Sequence, residues 1–397
     1  MKFSKPSQLF LVSSVGLLVA SLLTACSNTT TNFVFVANSN SIETYAVDSD
    51  SGALRTGADT VTSGVNSPVA MAVSADYTSL YLANKGDGTI VRYSISMHGV
   101  LTKQNSVTVG STPVALAVNA AGTYLYVVSG TTSATLTTYP LSSGAIGAGT
   151  SQTLTVPGYT GDTIVPTGVT VLGNDGAVYV TAYDQSAYNP GAPTGTVFSS
   201  ANPGWVFGFT VGSKGSLTAA SNSPYEAGVK PVALAADPTY RFLYVTDYAT
   251  NDLIGYTILD GSTLNYMKSG PFKTGNEPSS IAIDPRGKFI YVTNLLDNTV
   301  NSYSITQATG NPTATASVTG SAANQTDTEP VAIVVDPALG RFVYTANYLG
   351  NSVSGFRLDA TSGALSQTQA TPYPTGSGPT ALVVVPHGNH AIESVTP

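Results

Sequence analysis

PSSIAIDPRGKFIYVTNLLDNTVNSYSI, residues 278–305, decides how the rest of the chain is read. Its opening, Ser280-Ile281-Ala282-Ile283, is short, apolar and interrupted by small residues. Phe289 to Thr293 is aromatic and β-branched, the composition of a buried strand. Between them Asp284-Pro285-Arg286-Gly287 supplies a turn, because proline presets φ and glycine tolerates positive φ. Asn294 opens a second turn, and Thr299 to Ile305 then alternates apolar and polar residues at the period of a strand.

The leading proline returns at Pro68, Pro113, Pro166, Pro231, Pro278, Pro330 and Pro379, at intervals of roughly 50 residues. The central tetrad returns as Phe35-Val36-Ala37-Asn38, Tyr81-Leu82-Ala83-Asn84, Tyr126-Val127-Val128-Ser129, Tyr179-Val180-Thr181-Ala182, Tyr244-Val245-Thr246-Asp247, Tyr291-Val292-Thr293-Asn294 and Tyr344-Thr345-Ala346-Asn347. Several strands per repeat at this period predict a propeller, whose blades bury both faces only against neighbours. The fold class is therefore all-β, a seven-bladed β-propeller with four-stranded blades. The first repeat lacks a proline-led strand, and an unmatched one, Thr380 to Val385, lies at the far end. Pairing it with Phe33 to Asn38 would close the ring and remove a free edge. Small residues recur in the inner strands, as at Ala70, Ala115, Ala233 and Ala332, where strands crowd an axis. The tetrad tyrosines read as inter-blade core, and the Asn or Asp ending the tetrad as a cap on the following turn. His390 to Val395 reads as a short tail.

These tetrads and their spacing resemble the YVTN-repeat propellers and the lactonase-like seven-bladed β-propeller family. The resemblance covers essentially all of the chain after residue 32. It implies the propeller fold and, as one activity, hydrolysis of a sugar lactone such as 6-phosphogluconolactone.

Residues 1–25 read as a lipoprotein signal peptide: Lys2 and Lys5 precede an apolar stretch from Leu9 to Leu23, and Leu23-Thr24-Ala25-Cys26 resembles a lipobox. Cys26 is the sole cysteine and the expected lipidation site, which leaves no disulfide. Residues 26–32 would be the lipidated cysteine and a short tether, and residues 33–397 a single propeller domain. A tether that short would stand the ring bottom face down on its membrane, the bottom being the face that carries turns such as Asp284–Gly287. The expected location is the bacterial cell envelope, in the outer membrane if the cell is Gram-negative, where Ser27 follows the lipid. A net charge of −7 with 9% charged residues argues against nucleic acid as a partner. The chain is expected to be a monomer, with the membrane as partner through the Cys26 lipid.

Chemistry is sparse. His98, His387 and His390 are the only histidines, and no Ser-His-Asp order, metal-binding helix motif or phosphate loop accompanies them. Asp48 to Gly52 reads as a hairpin turn, matched at Asp359 to Gly363. The face opposite the Asp284 turn, here the top, carries the loops that follow the tetrads and lead to the next proline. There acidic residues outnumber basic ones, and Lys230, Glu277 and Glu329 directly precede prolines of successive blades. The fourth repeat also inserts Tyr183 to Trp205, a segment rich in Gly, Pro, Ser and Asn that holds Tyr183, Tyr188 and the only tryptophan, Trp205. The binding site expected from the sequence is therefore Tyr183, Tyr188, Trp205, Lys230, Glu277 and Glu329. No cofactor is expected, although a divalent cation would suit the acidic face. Two functions compete: an envelope platform that binds a protein, glycan or small molecule through its top face, and the lactone hydrolase implied by the family.

Overall fold

In the computed structural model, which describes residues 29–159, 163–186, 204–315, 323–388 and 394–397, aspartates organise the bottom turns of blades 5 to 7. The Asp284 carboxylate accepts the amides of Lys288 at 2.7 Å and Phe289 at 2.8 Å, and pairs with Arg286 at 3.1 Å. Asp237 likewise accepts from Arg241 at 2.8 Å and Phe242 at 2.7 Å. Satisfying these donors fixes the hairpin between Pro278–Ile283 and Phe289–Asn294. Thr299–Ile305 pairs with the second of these strands, and Pro312–Ala314 and Ala323–Gln325 pair in turn with it.

Seven such antiparallel sheets form the protein. Blade 1 takes its inner strand from the C-terminal end: Ala381–Pro386 pairs with Thr30–Asn38, with Phe35 opposite Val383. The ring is closed as expected, although the second strand of this blade begins at Thr30 rather than Phe33. Blades 2 to 7 run from inner to outer edge, starting at Pro68–Val73, Pro113–Val118, Ile164–Val171, Pro231–Ala236, Pro278–Ile283 and Pro330–Val335. In blades 3 to 7 the outermost strand is broken into two short pieces on the same third strand. Of the expected tail, residues 390–393 lie outside the described residues, and Val395 donates its amide to Ala338 at 3.1 Å. Residues 1–28, with Cys26, lie outside the described residues.

Hydrophobic clusters fill the interfaces between neighbouring blades. The one joining blades 7 and 1 contains Phe342, Tyr344, Val34 and Leu382; the one joining 5 and 6 contains Tyr244, Ile281 and Val292. Here the reading of the inner-strand alanines needs correction. They face the following blade, not the axis: Ala233 and Ala235 pack in the blade 5–6 cluster, while Leu234 between them packs backwards into the blade 4–5 cluster. A Cβ at Gly168 would lie 2.8 Å from Leu234 Cδ2, so small residues make room for the next blade's large one.

The tetrad tyrosines also stitch the ring. Tyr81, Tyr179, Tyr244, Tyr291 and Tyr344 donate to Gly144, Ser262, Gly310, Gly363 and Gly52 carbonyls, each in the outer hairpin of the next blade. Burial pushes these hydroxyls to higher pKa. Tyr126 alone among the tetrad tyrosines has a buried hydroxyl without a partner. Tyr344→Phe should therefore cost about 1 kcal/mol, whereas Tyr126→Phe should be neutral or stabilising. Denaturant melts of the two variants check this; equal losses would remove the stitch from the account.

Candidate functional site at the channel mouth

In blades 2 to 7 the inner strand carries a bulge just after its proline, seen as a register shift at Pro231/Ala233, Pro278/Ser280 and Pro330/Ala332. A hydroxyl after the proline bridges to the next blade, from the bulge in Thr167 to the Pro231 carbonyl at 2.7 Å and Ser279 to Pro330 at 2.6 Å, and from Thr380 just before the unbulged strand of blade 1 to Pro68 at 2.8 Å. The residue before the proline is fixed on both sides. Glu277 and Glu329 adopt left-handed φ of 54° and 56°, and their amides each donate at 2.8 Å to Asn251 and Asn298 of the preceding blade. Lys230 donates its amide to Asp247 at 3.0 Å, and its carbonyl accepts from Tyr248 at 3.0 Å. The backbones of three charged residues are thus held at matching positions of successive blades.

A cavity of about 410 Å³ opens at this mouth across blades 3 to 5. Its wall includes Thr131, Thr167, Tyr183, Gln185 and Lys230 over an apolar floor of Val114, Val165 and Val232. Lys230 Nζ lies 4.2 Å from the ring centroid of Tyr248 and 5.7 Å from that of Tyr183, within cation–π range. Burial pushes the Lys230 ammonium below the usual lysine value, while the charges of Glu277 and Asp247 hold part of that shift back. Asp247 is fully buried and its carboxyl is raised by burial, against the opposing amides of Val229, Lys230 and Ala249. The site can thus present a half-desolvated cation, with an amide and a phenol side chain beside it, to one small polar molecule.

The sequence-derived residues divide. Tyr183 and Lys230 line the cavity, Glu277 acts on Lys230 through its charge, and Glu329 sits one blade further round. Trp205 belongs elsewhere: it is 6% exposed, pairs with Ala182 inside strand Gly204–Val211 and meets the Tyr159 ring at 4.8 Å in the blade 3–4 core. Tyr188 lies outside the described residues. Gln185, Thr167 and Tyr248 are additions that the sequence reading missed. Thr167 was detectable as the hydroxyl residue following a leading proline; Tyr248 follows its tetrad, but its contact with Lys230 was not.

The acidic excess of the top face largely serves its loops. Asp327 accepts from Ser352 at 2.7 Å and Thr328 at 2.8 Å, Asp297 from Asn276, and Glu43 from Tyr45 and Thr375. Among the described residues no three His, Cys, Asp or Glu side chains converge as a metal site. The tetrad-ending residues also act differently from expectation. Asn84 accepts from Asn66 and Asp247 from Val229, both in the loop that enters their own blade; Asn294 and Asn347 bond third-strand side chains. Only Asp247 also caps its following turn, through Ala249. His387 packs edge-on against Phe33, ring centroids 4.9 Å apart.

Closed seven-fold symmetry with tyrosine-stitched tetrads defines a class of seven-bladed propellers. Within it, the sequence profile described as "Lactonase, 7-bladed beta-propeller" matches residues 24–162 and 200–393, and the chain belongs to that family. A comparison with curated protein sequences returned no match. Among solved structures, the fold is similar to a putative 6-phosphogluconolactonase from Bacteroides fragilis, at 17% identity and TM-score 0.71, covering 91% of this chain and 99% of that one. It is similar also to a periplasmic gluconolactonase from Pseudomonas aeruginosa, at 17% identity and TM-score 0.71, covering 89% and 99%. At such identities the likeness concerns the fold.

Proposed function

We propose that the protein is a lactone hydrolase that takes an uncharged sugar lactone at the channel mouth. The observation that carries this reading is Lys230, a half-buried ammonium held over two tyrosine rings beside the charge of Glu277. Lactone hydrolysis needs a base to activate water and a cation or donor to meet the oxyanion. In this reading Glu277 accepts a proton from the attacking water and Lys230 faces the developing oxyanion. The tetrahedral intermediate then expels the ring oxygen, which takes back the proton that Glu277 accepted and leaves an open hydroxy acid. Gln185 lines the cavity where its amide can hydrogen-bond sugar hydroxyls, and the Thr167 oxygen, whose proton goes to Pro231, can only accept from them. A phosphorylated lactone fits less well, because a phosphate dianion asks for several cations and Lys230 is the cation in the described lining of this cavity.

The family and the two gluconolactonase folds support hydrolysis over a purely binding platform. We also place the enzyme at the bacterial envelope as a Cys26-anchored lipoprotein, on the basic, apolar and lipobox segments of residues 1–26. Proton release in a pH-stat tests the activity with gluconolactone and its 6-phosphate, each corrected for spontaneous opening. Turnover well above the blank, faster with the unphosphorylated lactone, is expected. Binding without turnover would return the chain to a platform role, and preference for the phosphate would overturn the substrate assignment.

A further inference from the structure

Radially outside the mouth, where blade 4's Tyr225–Glu226 passes blade 5, a second cavity of about 490 Å³ opens. Asp247 stands in its inner wall, so the two cavities share a partition but not a lining. The floor is apolar, with Val229 and Ile254 buried. Tyrosine rings dominate the sides. The Tyr225 hydroxyl donates to Ser221 at 2.6 Å and that of Tyr256 to the Glu226 carbonyl, so both polar ends are turned to backbone. Tyr266 stands edge-on to Tyr256, centroids 6.0 Å apart at 78°, and is 41% exposed.

The polar feature of this cavity is a carboxylate. Asp252 has a side chain only 9% exposed, and its Oδ1 accepts no aligned hydrogen bond. Lys273 Nζ lies 2.8 Å from that oxygen, on a side chain that is 78% exposed. So exposed an ammonium is weakly held, and its position shows what chemistry Asp252 attracts. Glu226 and Asp247 add negative charge to the same lining. An anion would be repelled here, whereas a cation with an apolar body would meet both the carboxylate and the negative faces of the rings.

We propose that this outer cavity binds a small organic ammonium ion, its charge on Asp252 and its apolar body among Tyr225, Tyr256 and Tyr266. The site is separate from the lactone chemistry at the mouth and does not depend on it. The charge of a bound amine replaces Lys273 on Asp252, and the rings exclude water from the pair.

Calorimetric titration of the full chain in detergent with phenethylammonium, with its uncharged isostere 2-phenylethanol and with glucose tests the proposal. The amine should bind at least about tenfold more tightly than the alcohol, the ratio expected for roughly 1.4 kcal/mol of charge recognition. Asp252→Asn should erase that difference, and Tyr266→Leu, at a partly exposed position, should weaken the amine several-fold without lowering the melting temperature. Equal affinities for amine and alcohol, an unchanged amine affinity in both variants, or preferential binding of glucose would each overturn the proposal.

Discussion

Deletion of residues 379–397 is expected to turn a cooperatively melting protein into an aggregating chain. The deletion removes strand Ala381–Pro386 and leaves Thr30–Asn38 as an open edge with unpaired amides and carbonyls. It also strips two cores at once: Leu382 and Val384 leave the blade 7–1 cluster, and Ala381 and Val385 leave the blade 1–2 cluster. Buried aliphatic truncations each cost about 2–5 kcal/mol, so their sum reaches the whole stability of a typical domain, about 5–15 kcal/mol. Val384→Asp, at 3% exposure, places a charge in the same interface and should act in the same direction with the chain intact. Size-exclusion chromatography and differential scanning calorimetry read both variants. A truncated chain that stayed monomeric with an unchanged transition would show that ring closure is not what holds the fold.

The fold could be read from the sequence because each blade repeats the same local rules. The short turn after the inner strand, led by aspartate in blades 5 to 7, the aromatic and β-branched second strand and the leading proline are all short-range signals, and their recurrence multiplies them. Closure was legible for a similar reason: one repeat lacks its first strand and the far end of the chain supplies it. What stayed hidden was every feature made by two blades together. Tyr344 reads as core, yet its hydroxyl bond to Gly52 joins residues at opposite ends of the chain. Glu277 reads as a turn charge, yet its amide is held by Asn251 of the preceding blade. Trp205 was misplaced because a lone tryptophan after a Gly- and Pro-rich segment looks the same whether the strand behind it starts before or after it. The register of Tyr183 with Gly204 shows that it starts before.

The candidate site was half legible on the same grounds. Position before the leading proline marked Lys230, Glu277 and Glu329, because the repeat maps that position to the channel mouth. Tyr248 and Gln185 follow their tetrads in turns whose direction the sequence does not specify. The outer cavity draws on Tyr225 from one blade and Asp252, Tyr256 and Tyr266 from the next, and no periodicity links them.

Lys230→Met is expected to lower kcat/KM for lactone opening by about 10²–10³, the usual cost of removing an oxyanion partner. The side chain is half-buried and keeps its volume in methionine, so the melting temperature should change little. The pH dependence supplies the sharper reading. If Lys230 acts as an ammonium, activity above the spontaneous rate falls as pH rises through its folded pKa. Burial has already lowered that pKa below the ordinary lysine value, so the alkaline limb should come earlier than for a solvent-exposed lysine. Glu277 and Asp247 act oppositely, favouring the charged form. Glu277→Gln should therefore lower kcat and also move the alkaline limb to still lower pH. Lys230→Arg, which keeps its charge throughout this range, should retain part of the activity and lose the limb. A profile in Lys230→Met that keeps the wild-type rate and limb would take this cation out of the reaction, and the hydrolytic site would have to be sought elsewhere on the top face.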